Sequence, residues 1–282
     1  MKDIALIQTR LEGYHPSNDE EEVNAIREIL QEMILAALSR TDFFTKAAFH
    51  GGTQLRIFEH IRRYSEDLDF ALKQTDLNFD LGVYLEKIAE EMRAMGVELE
   101  VKDKSTVSLA VKKGFLKNDS LVKLLEVKYI GRRGSAGSPG KLRIKMEVDA
   151  NPPTAATYAA SSLLFPFPAS VVCFDRNSSF AGKMHALLCR QYIKGRDWFD
   201  FIWYRSVGAK LNHQLLSAAI DQQGPWAGKH IVTDDAWVKR ELSEVINRMD
   251  FAVARKDVLP FVYPSDRPSL DLWSRDYFLS LV

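Results

Sequence analysis

A glycine pair and a carboxylate pair lie close together in one short segment, each beside an apolar run, and no other feature constrains the chain as tightly. Ala47, Ala48 and Phe49 read as a buried strand, His50-Gly51-Gly52-Thr53 as a turn, and Gln54 to Phe58 as a short helix-like segment. Gly51 and Gly52 lack a Cβ, so the backbone there can take φ > 0 and approach an anion, with the Thr53 hydroxyl where the helix begins. That turn suits a triphosphate. Leu68 to Leu72 reads as a second strand, and a period of two points Asp67 and Asp69 to one face. Adjacent hard oxygen donors are what Mg²⁺ requires.

The chain has 282 residues, 46% of them hydrophobic and 11% aromatic, enough for one large domain or two modest ones around a real core. No run approaches the roughly 18 to 20 uninterrupted apolar residues that span a bilayer. Met1-Lys2-Asp3-Ile4 also lacks the apolar stretch of a signal peptide, so a cytoplasmic location is expected. Cys173 and Cys189 have neither a C-x-x-C partner nor a suitably spaced His, and read as buried thiols. A net charge of zero argues against nonspecific coating of nucleic acid. Its distribution is uneven: from Lys102 to Lys145 there are twelve Lys and Arg against three acids. Such a stretch is either the solvated outer face of a sheet or a track for the phosphates of an RNA acceptor.

Residues 18 to 40 carry Val23, Ile26, Ile29, Leu30, Met33, Ile34, Ala37 and Leu38 at helical spacing, with Ser17, Asn18 or Asp19 as N-cap. A second helix is expected from about Asp80 to Met95, closed by Gly96. Strands are expected at Val97 to Val101, Val107 to Val111, Leu121 to Ile130 and Leu142 to Asp149, with a mobile hairpin or loop at Gly131 to Gly140. The last strand alternates cleanly. Ile144, Met146 and Val148 face the core, while Lys145, Glu147 and Asp149 face the other way. Around 165 to 175 the composition turns from strand to helix, which predicts a first domain over 1–170 and a mainly helical one over 171–282. In the latter, Lys183, Leu187 and Arg190 share a helix face, as do Asp197 and Asp200 on the next helix. Helices are also expected at Ala236 to Asn247 and Leu272 to Leu281.

The order strand, Gly-Gly-Thr, short helix, strand with Asp-x-Asp resembles the signature of the DNA polymerase β-like nucleotidyltransferases. The finer wording, Gly51-Gly52-Thr53-x-Leu55 and then Arg63-x-Ser65-x-Asp67-Leu68-Asp69-Phe70, is similar to the AbiEii/AbiGii toxins of type IV toxin–antitoxin and abortive-infection systems. Lys183-x-x-Ala186-Leu187-x-x-Arg190 with Arg196-Asp197-x-x-Asp200 resembles the second motif of that family.

This resemblance implies an α+β fold, a mixed sheet flanked by helices, followed by a mainly helical domain with a cleft between the two. It implies Mg²⁺-dependent transfer of a nucleotide from an NTP to an acceptor, with release of pyrophosphate. Asp67, Asp69 and Glu147, or Asp149 in place of Glu147, would hold two Mg²⁺ ions about 3.5–4 Å apart. Gly51, Gly52, Thr53, Ser65 and Lys183 would bind the nucleotide, supported by Arg63, Arg190, Arg196, Asp197 and Asp200. Arg63 would pair with a phosphate near Ser65, whose own phosphorylation would oppose nucleotide binding. The implied partners are an RNA acceptor such as tRNA and a cognate antitoxin. The rivals are a small-molecule nucleotidyltransferase of the antibiotic-modifying type and a nucleotide-binding protein without transferase activity.

Overall fold

Asn18 fixes the entry to the longest helix: its side chain accepts a hydrogen bond from the Glu21 amide, and Asp19 to Glu22 place negative charge at the positive end of the helix dipole. A computed structural model describes residues 5–103, 120–129 and 140–282. Two helices open the chain, α1 (Ala5–Glu12) and α2 (Asp19–Ser39). The expected strand Val107 to Val111 and most of the loop Gly131 to Gly140 lie outside the described residues. The described residues fall into two compact units. One lies within Met1–Glu59, Ser65–Asn151 and Ala160–Cys173, and the other comprises His60–Tyr64, Pro152–Ala159 and Phe174–Val282.

The sheet has seven strands among the described residues: β1 (Ala47–His50), β2 (Leu68–Leu72), β3 (Leu99–Asp103), β4 (Ser120–Tyr129), β5 (Gly140–Asp149), β6 (Tyr158–Leu163) and β7 (Ala169–Phe174). Their order is β3-β4-β5-β2-β1-β7-β6. The sheet is mixed, since β2 runs parallel to β5 and β1 to β7, whereas β1–β2, β3–β4 and β4–β5 are antiparallel. On its core face Phe49, Leu68, Phe70, Ile144, Met146 and Val148 join one apolar cluster with Ile29, Leu30, Met33 and Ile34 of α2. α5 (Gly82–Ala94) adds Ile88 and Met92. Phe43, in the short α3 (Phe43–Lys46), meets the Phe70 ring edge-on at 5.0 Å.

α5 ends at Gly96, whose φ of +82° suits a residue without Cβ. There the Val97 amide donates to Met92 O and the Gly96 amide to Arg93 O, the paired bonds of a Schellman motif. Because Val97 is used by this cap, β3 starts at Leu99 rather than at Val97. β6 was not anticipated. Its residues, Tyr-Ala-Ala-Ser-Ser-Leu, are small and mostly exposed, and carry no apolar alternation.

The second unit is built from α6 (Arg176–Cys189), α7 (Gly195–Ser206), α8 (His213–Gln222), α9 (Asp235–Arg248), α10 (Phe251–Val258) and α11 (Arg275–Ser280). Asp175, Asn212, Asp234, Asp250 and Ser274 each cap a helix start with a side-chain oxygen. The Ser274 cap explains why α11 begins late, with Pro264–Leu272 forming a 3-10 segment in front of it. Phe180 stacks on Tyr204 at 4.6 Å, and Trp198 and Trp273 both meet Phe278 edge-on. Residues 60–64 cluster with this unit because Arg63 bridges to Val262 and the Tyr64 amide donates to Phe261 O at 2.8 Å. Cys173 and Cys189 are buried and free. No helix among the described residues is long and apolar enough to cross a membrane.

Phe70 sits at the centre of the first unit, so Phe70→Ala should lower its stability by about 3–5 kcal/mol through lost burial and the cavity left behind. Urea unfolding measures this, and a loss below about 1 kcal/mol would mean the core can collapse around the gap.

Candidate active site

Strand register assembles the carboxylates. Asp69 lies opposite His50 of β1 on one side and opposite Glu147 of β5 on the other. The core face of these strands carries Phe49, Phe70 and Val148, so His50, Asp69 and Glu147 form a row on the opposite face. Asp67 and Lys145 each come two residues earlier in their strands' direction and belong to the same face. Asp149 is one step further along β5, opposite Ala71, and its carboxylate accepts from the Asn151 amide at the strand end. Glu147 is therefore nearer to Asp69 in register than Asp149.

The glycine turn meets the same carboxylate. Gly51 begins α4 (Gly51–Phe58) with φ +88°, and a Cβ there would lie 2.6 Å from Asp69 Oδ2. Any side chain at Gly51 would thus occupy the space taken by the Asp69 carboxylate. Thr53 is buried, and its hydroxyl donates to the Asp67 carbonyl, tying the turn to the Asp-x-Asp strand. α2 holds both pieces from behind: Glu28 binds Arg56 of α4 at 2.7 Å, and the Gln31 amide donates to Ser65 O at 3.3 Å. Tyr14 adds a bond to Glu28 at 3.1 Å.

Oxygen donors at Asp67, Asp69 and Glu147 are of the type a hard divalent cation takes, and the space left by Gly51 is filled by a carboxylate rather than by a side chain that would exclude an ion. In this structure the Lys145 ammonium pairs with Glu147. Burial alone would lower the Lys145 pKa, but the charge and hydrogen bond of Glu147, with Asp67 and Asp69, raise it above the usual ammonium value. Among the described residues no group of three or more His, Cys, Asp or Glu is drawn together tightly enough to hold a metal.

The second-motif residues gather in the second unit. Lys183 of α6 donates to Asp197 Oδ1 at 2.8 Å and lies 2.7 Å from Asp200 Oδ2, both on α7. Asp200 also takes a two-pronged contact from Arg63, with Nε and one terminal nitrogen each at 2.6 Å. Arg190 Nε stands 3.3 Å from Asp197 Oδ2. Arg196 places its guanidinium 4.0 Å over the Phe261 ring. Burial by itself would raise the Asp197 pKa, yet the charges of Lys183, Lys194 and Arg190 and the Lys183 hydrogen bond hold it far below the usual carboxylate range. Burial by itself would lower that of Lys183, but Asp197 and Asp200 outweigh both burial and Arg63 and raise it.

The structure thus brings together Gly51, Gly52, Thr53, Asp67, Asp69 and Glu147 in the first unit, and Arg63, Lys183, Arg190, Asp197 and Asp200 in the second. Arg63 is buried against Asp200 rather than open to solvent. Three partners escaped the reading of the sequence as site residues: Lys145, Glu28 and Arg56. Lys145 had a visible signal, its two-residue spacing from Glu147 on an alternating strand.

With this geometry in place, comparison with known families matches residues 33–278 to the nucleotidyl transferase AbiEii toxin family of type IV toxin–antitoxin systems. The chain belongs to this family. It is accordingly a nucleotidyltransferase of the AbiEii toxin group. The structure is similar to MenT4, a nucleotidyltransferase toxin from Mycobacterium tuberculosis H37Rv, with a TM-score of 0.53, 16% identity and 98% of each chain covered. The mixed sheet with flanking helices is the fold the two share. JHP933 from Helicobacter pylori matches with a TM-score of 0.47, 15% identity, and coverage of 92% of this chain and 88% of its own. A comparison with curated protein sequences gives no match.

The Lys183–Asp197 pair of this AbiEii-family chain has a defined pH signature. A carboxylate with a depressed folded pKa contributes stability that is present above its unfolded value and lost as pH falls. An ammonium with a raised folded pKa contributes stability present below its unfolded value and lost as pH rises through the folded one. Both contributions are complete between about pH 4 and pH 10. Asp197→Asn should therefore cost about 1.5–3 kcal/mol at pH 7, because it removes one charged hydrogen-bond partner and leaves Lys183 to share Asp200 with Arg63. Urea unfolding from pH 7 down to pH 2 should show the gap between wild type and variant closing below about pH 4. A gap that stays constant would mean the pair carries no differential charge energy.

Proposed function

We propose that this AbiEii-family enzyme transfers a nucleotide from an NTP to a hydroxyl of RNA, the acceptor being the 3′ end of a tRNA, with Mg²⁺ held by Asp67, Asp69 and Glu147. The observation that carries this reading is the register that puts Glu147 opposite Asp69, with Gly51 leaving room for the Asp69 carboxylate. Two bound Mg²⁺ ions would supply charge neutralisation for the triphosphate and lower the pKa of the attacking hydroxyl. The amides at the start of α4, beginning at Gly51 and Gly52, are suited to cradle phosphate oxygens, because a helix start presents free N–H groups and partial positive charge. The acceptor oxygen attacks the α-phosphorus, the bond to the bridging oxygen of pyrophosphate breaks, and the hydroxyl proton leaves to solvent.

Lys145 acts as the resting counter-charge of Glu147, which limits repulsion among the three carboxylates before substrate arrives. In the second unit Lys183 is the phosphate-binding cation, its ammonium aimed by Asp197 and Asp200. Ser65, whose carbonyl Gln31 holds, offers its hydroxyl to the nucleotide. The RNA reading rests on the charge excess between Lys102 and Lys145, in which Lys112, Lys113, Arg132 and Arg133 lie outside the described residues. Family membership supports a cytoplasmic toxin controlled by a cognate antitoxin.

Purified protein with Mg²⁺ and labelled NTPs should label RNA. Asp69→Ala should abolish both labelling and growth inhibition while leaving the unfolding midpoint near that of the wild type, and an active, toxic Asp69→Ala would overturn the mechanism. Reversal of Lys112, Lys113, Arg132 and Arg133 to Glu should cut RNA labelling far more than NTP binding, and added salt should do the same. Label on a small molecule instead of RNA would replace the acceptor assigned here.

A further inference from the structure

Different means place the carboxylates of the first unit. Asp69 and Glu147 stand opposite each other in the β2–β5 ladder, whereas Asp67 precedes β2, and residues 64–67 belong to no helix or strand. The ladder therefore fixes two of the carboxylates and leaves the third to whatever holds its backbone. Two side chains do so. The Thr53 hydroxyl of α4 donates to the Asp67 carbonyl, and the Gln31 amide of α2 donates to the Ser65 carbonyl at 3.3 Å. Between these two carbonyls Glu66 faces Arg27 at 3.9 Å, one turn before Gln31 on α2. All of these residues belong to the first unit.

Gln31 is the unusual member. It is 0% exposed, and Ile34 and Leu35, one turn further along α2, are equally buried. A primary amide can donate two hydrogen bonds and accept two, yet the bond to Ser65 is all that Gln31 makes, and its Oε1 has no partner among the described residues. Burying an acceptor without a partner costs stability that an apolar side chain of the same volume would not lose. The fold therefore gains little from an amide at this position. What Gln31 does supply is a donor aimed at one carbonyl, two residues before Asp67.

We propose that Gln31 is a positioning residue for Asp67: by holding the Ser65 carbonyl it sets the path of Ser65-Glu66-Asp67 and keeps the third carboxylate on the face of Asp69 and Glu147. Gln31 itself touches neither metal nor substrate. The proposal rests on the reading of Asp67 as a metal ligand, but the hold on the segment is measurable without metal.

Gln31→Met in the full chain tests it, because a side chain of similar volume removes both the donor and the unpaired acceptor. Its urea midpoint should match or exceed that of the wild type. In metal-free protein, NMR order parameters of the Ser65, Glu66 and Asp67 amides should fall from about 0.85 to below about 0.6, with those of Leu68 to Leu72 unchanged. Mn²⁺ affinity, followed by water proton relaxation, should weaken about ten-fold, as for loss of a group that orients a metal ligand. Nucleotide transfer at saturating Mn²⁺ should lose kcat, with the KM for NTP little changed. The proposal is overturned if either the order parameters or the Mn²⁺ affinity of Gln31→Met stay at wild-type values. A urea midpoint lowered as a core cavity lowers it would also overturn it, making Gln31 a packing residue. Asp67→Asn separates this from the underlying reading: if that variant binds Mn²⁺ and transfers nucleotide as the wild type does, the assignment of Asp67 fails, whereas the metal-free order parameters report on Gln31 alone.

Discussion

Parallel pairing of β2 with β5 is the interaction on which the first unit's chemistry depends. Because side chains alternate along a strand, a slip of one residue in that pairing would send Glu147 into the apolar core and bring Val148 out beside Asp69. The register is pinned by packing rather than by the carboxylates. Leu68, Phe70, Met146 and Val148 are all buried against α2, and exposing any of them would cost far more than a surface charge pair returns. The acidic row is therefore a by-product of a core that has one good way to pack. The turn is then fastened to the Asp-x-Asp segment by the Thr53 bond to the Asp67 carbonyl, and α4 to α2 by the Glu28–Arg56 pair.

The second unit uses a different device. Arg63, Lys183, Asp197 and Asp200 form a buried chain of alternating charge, with contacts of 2.6–2.8 Å. Ion pairs of this kind seldom add net stability over an apolar core, but breaking one strands a charge in a low dielectric. What they provide is direction: two carboxylates fix where a single ammonium can point. Within this unit Arg63 reaches Asp200, a residue 137 positions away in sequence.

Local chemistry was legible in the sequence, and long-range pairing was not. The Gly51-Gly52 turn, the Asp67/Asp69 period, the Asn18 cap and the Gly96 stop each depend on a few neighbouring residues, and each could be read from them. Arg63 stands in a motif that suggests contact with phosphate, yet only the fold reveals that Asp200 takes its guanidinium. Thr53 read as a free hydroxyl at a helix start, whereas its oxygen is committed to the Asp67 carbonyl. β6 left no trace because its small, exposed residues serve a sheet edge without entering the core.

The most direct test of the account is to locate the metal. Crystals grown with Mn²⁺ and a non-hydrolysable NTP analogue, measured at the manganese absorption edge, should show an anomalous peak in direct contact with Asp67 and Asp69, with Glu147 released from Lys145 to join it. A manganese peak bound elsewhere, with the Asp67 and Asp69 carboxylates free of metal, would contradict it.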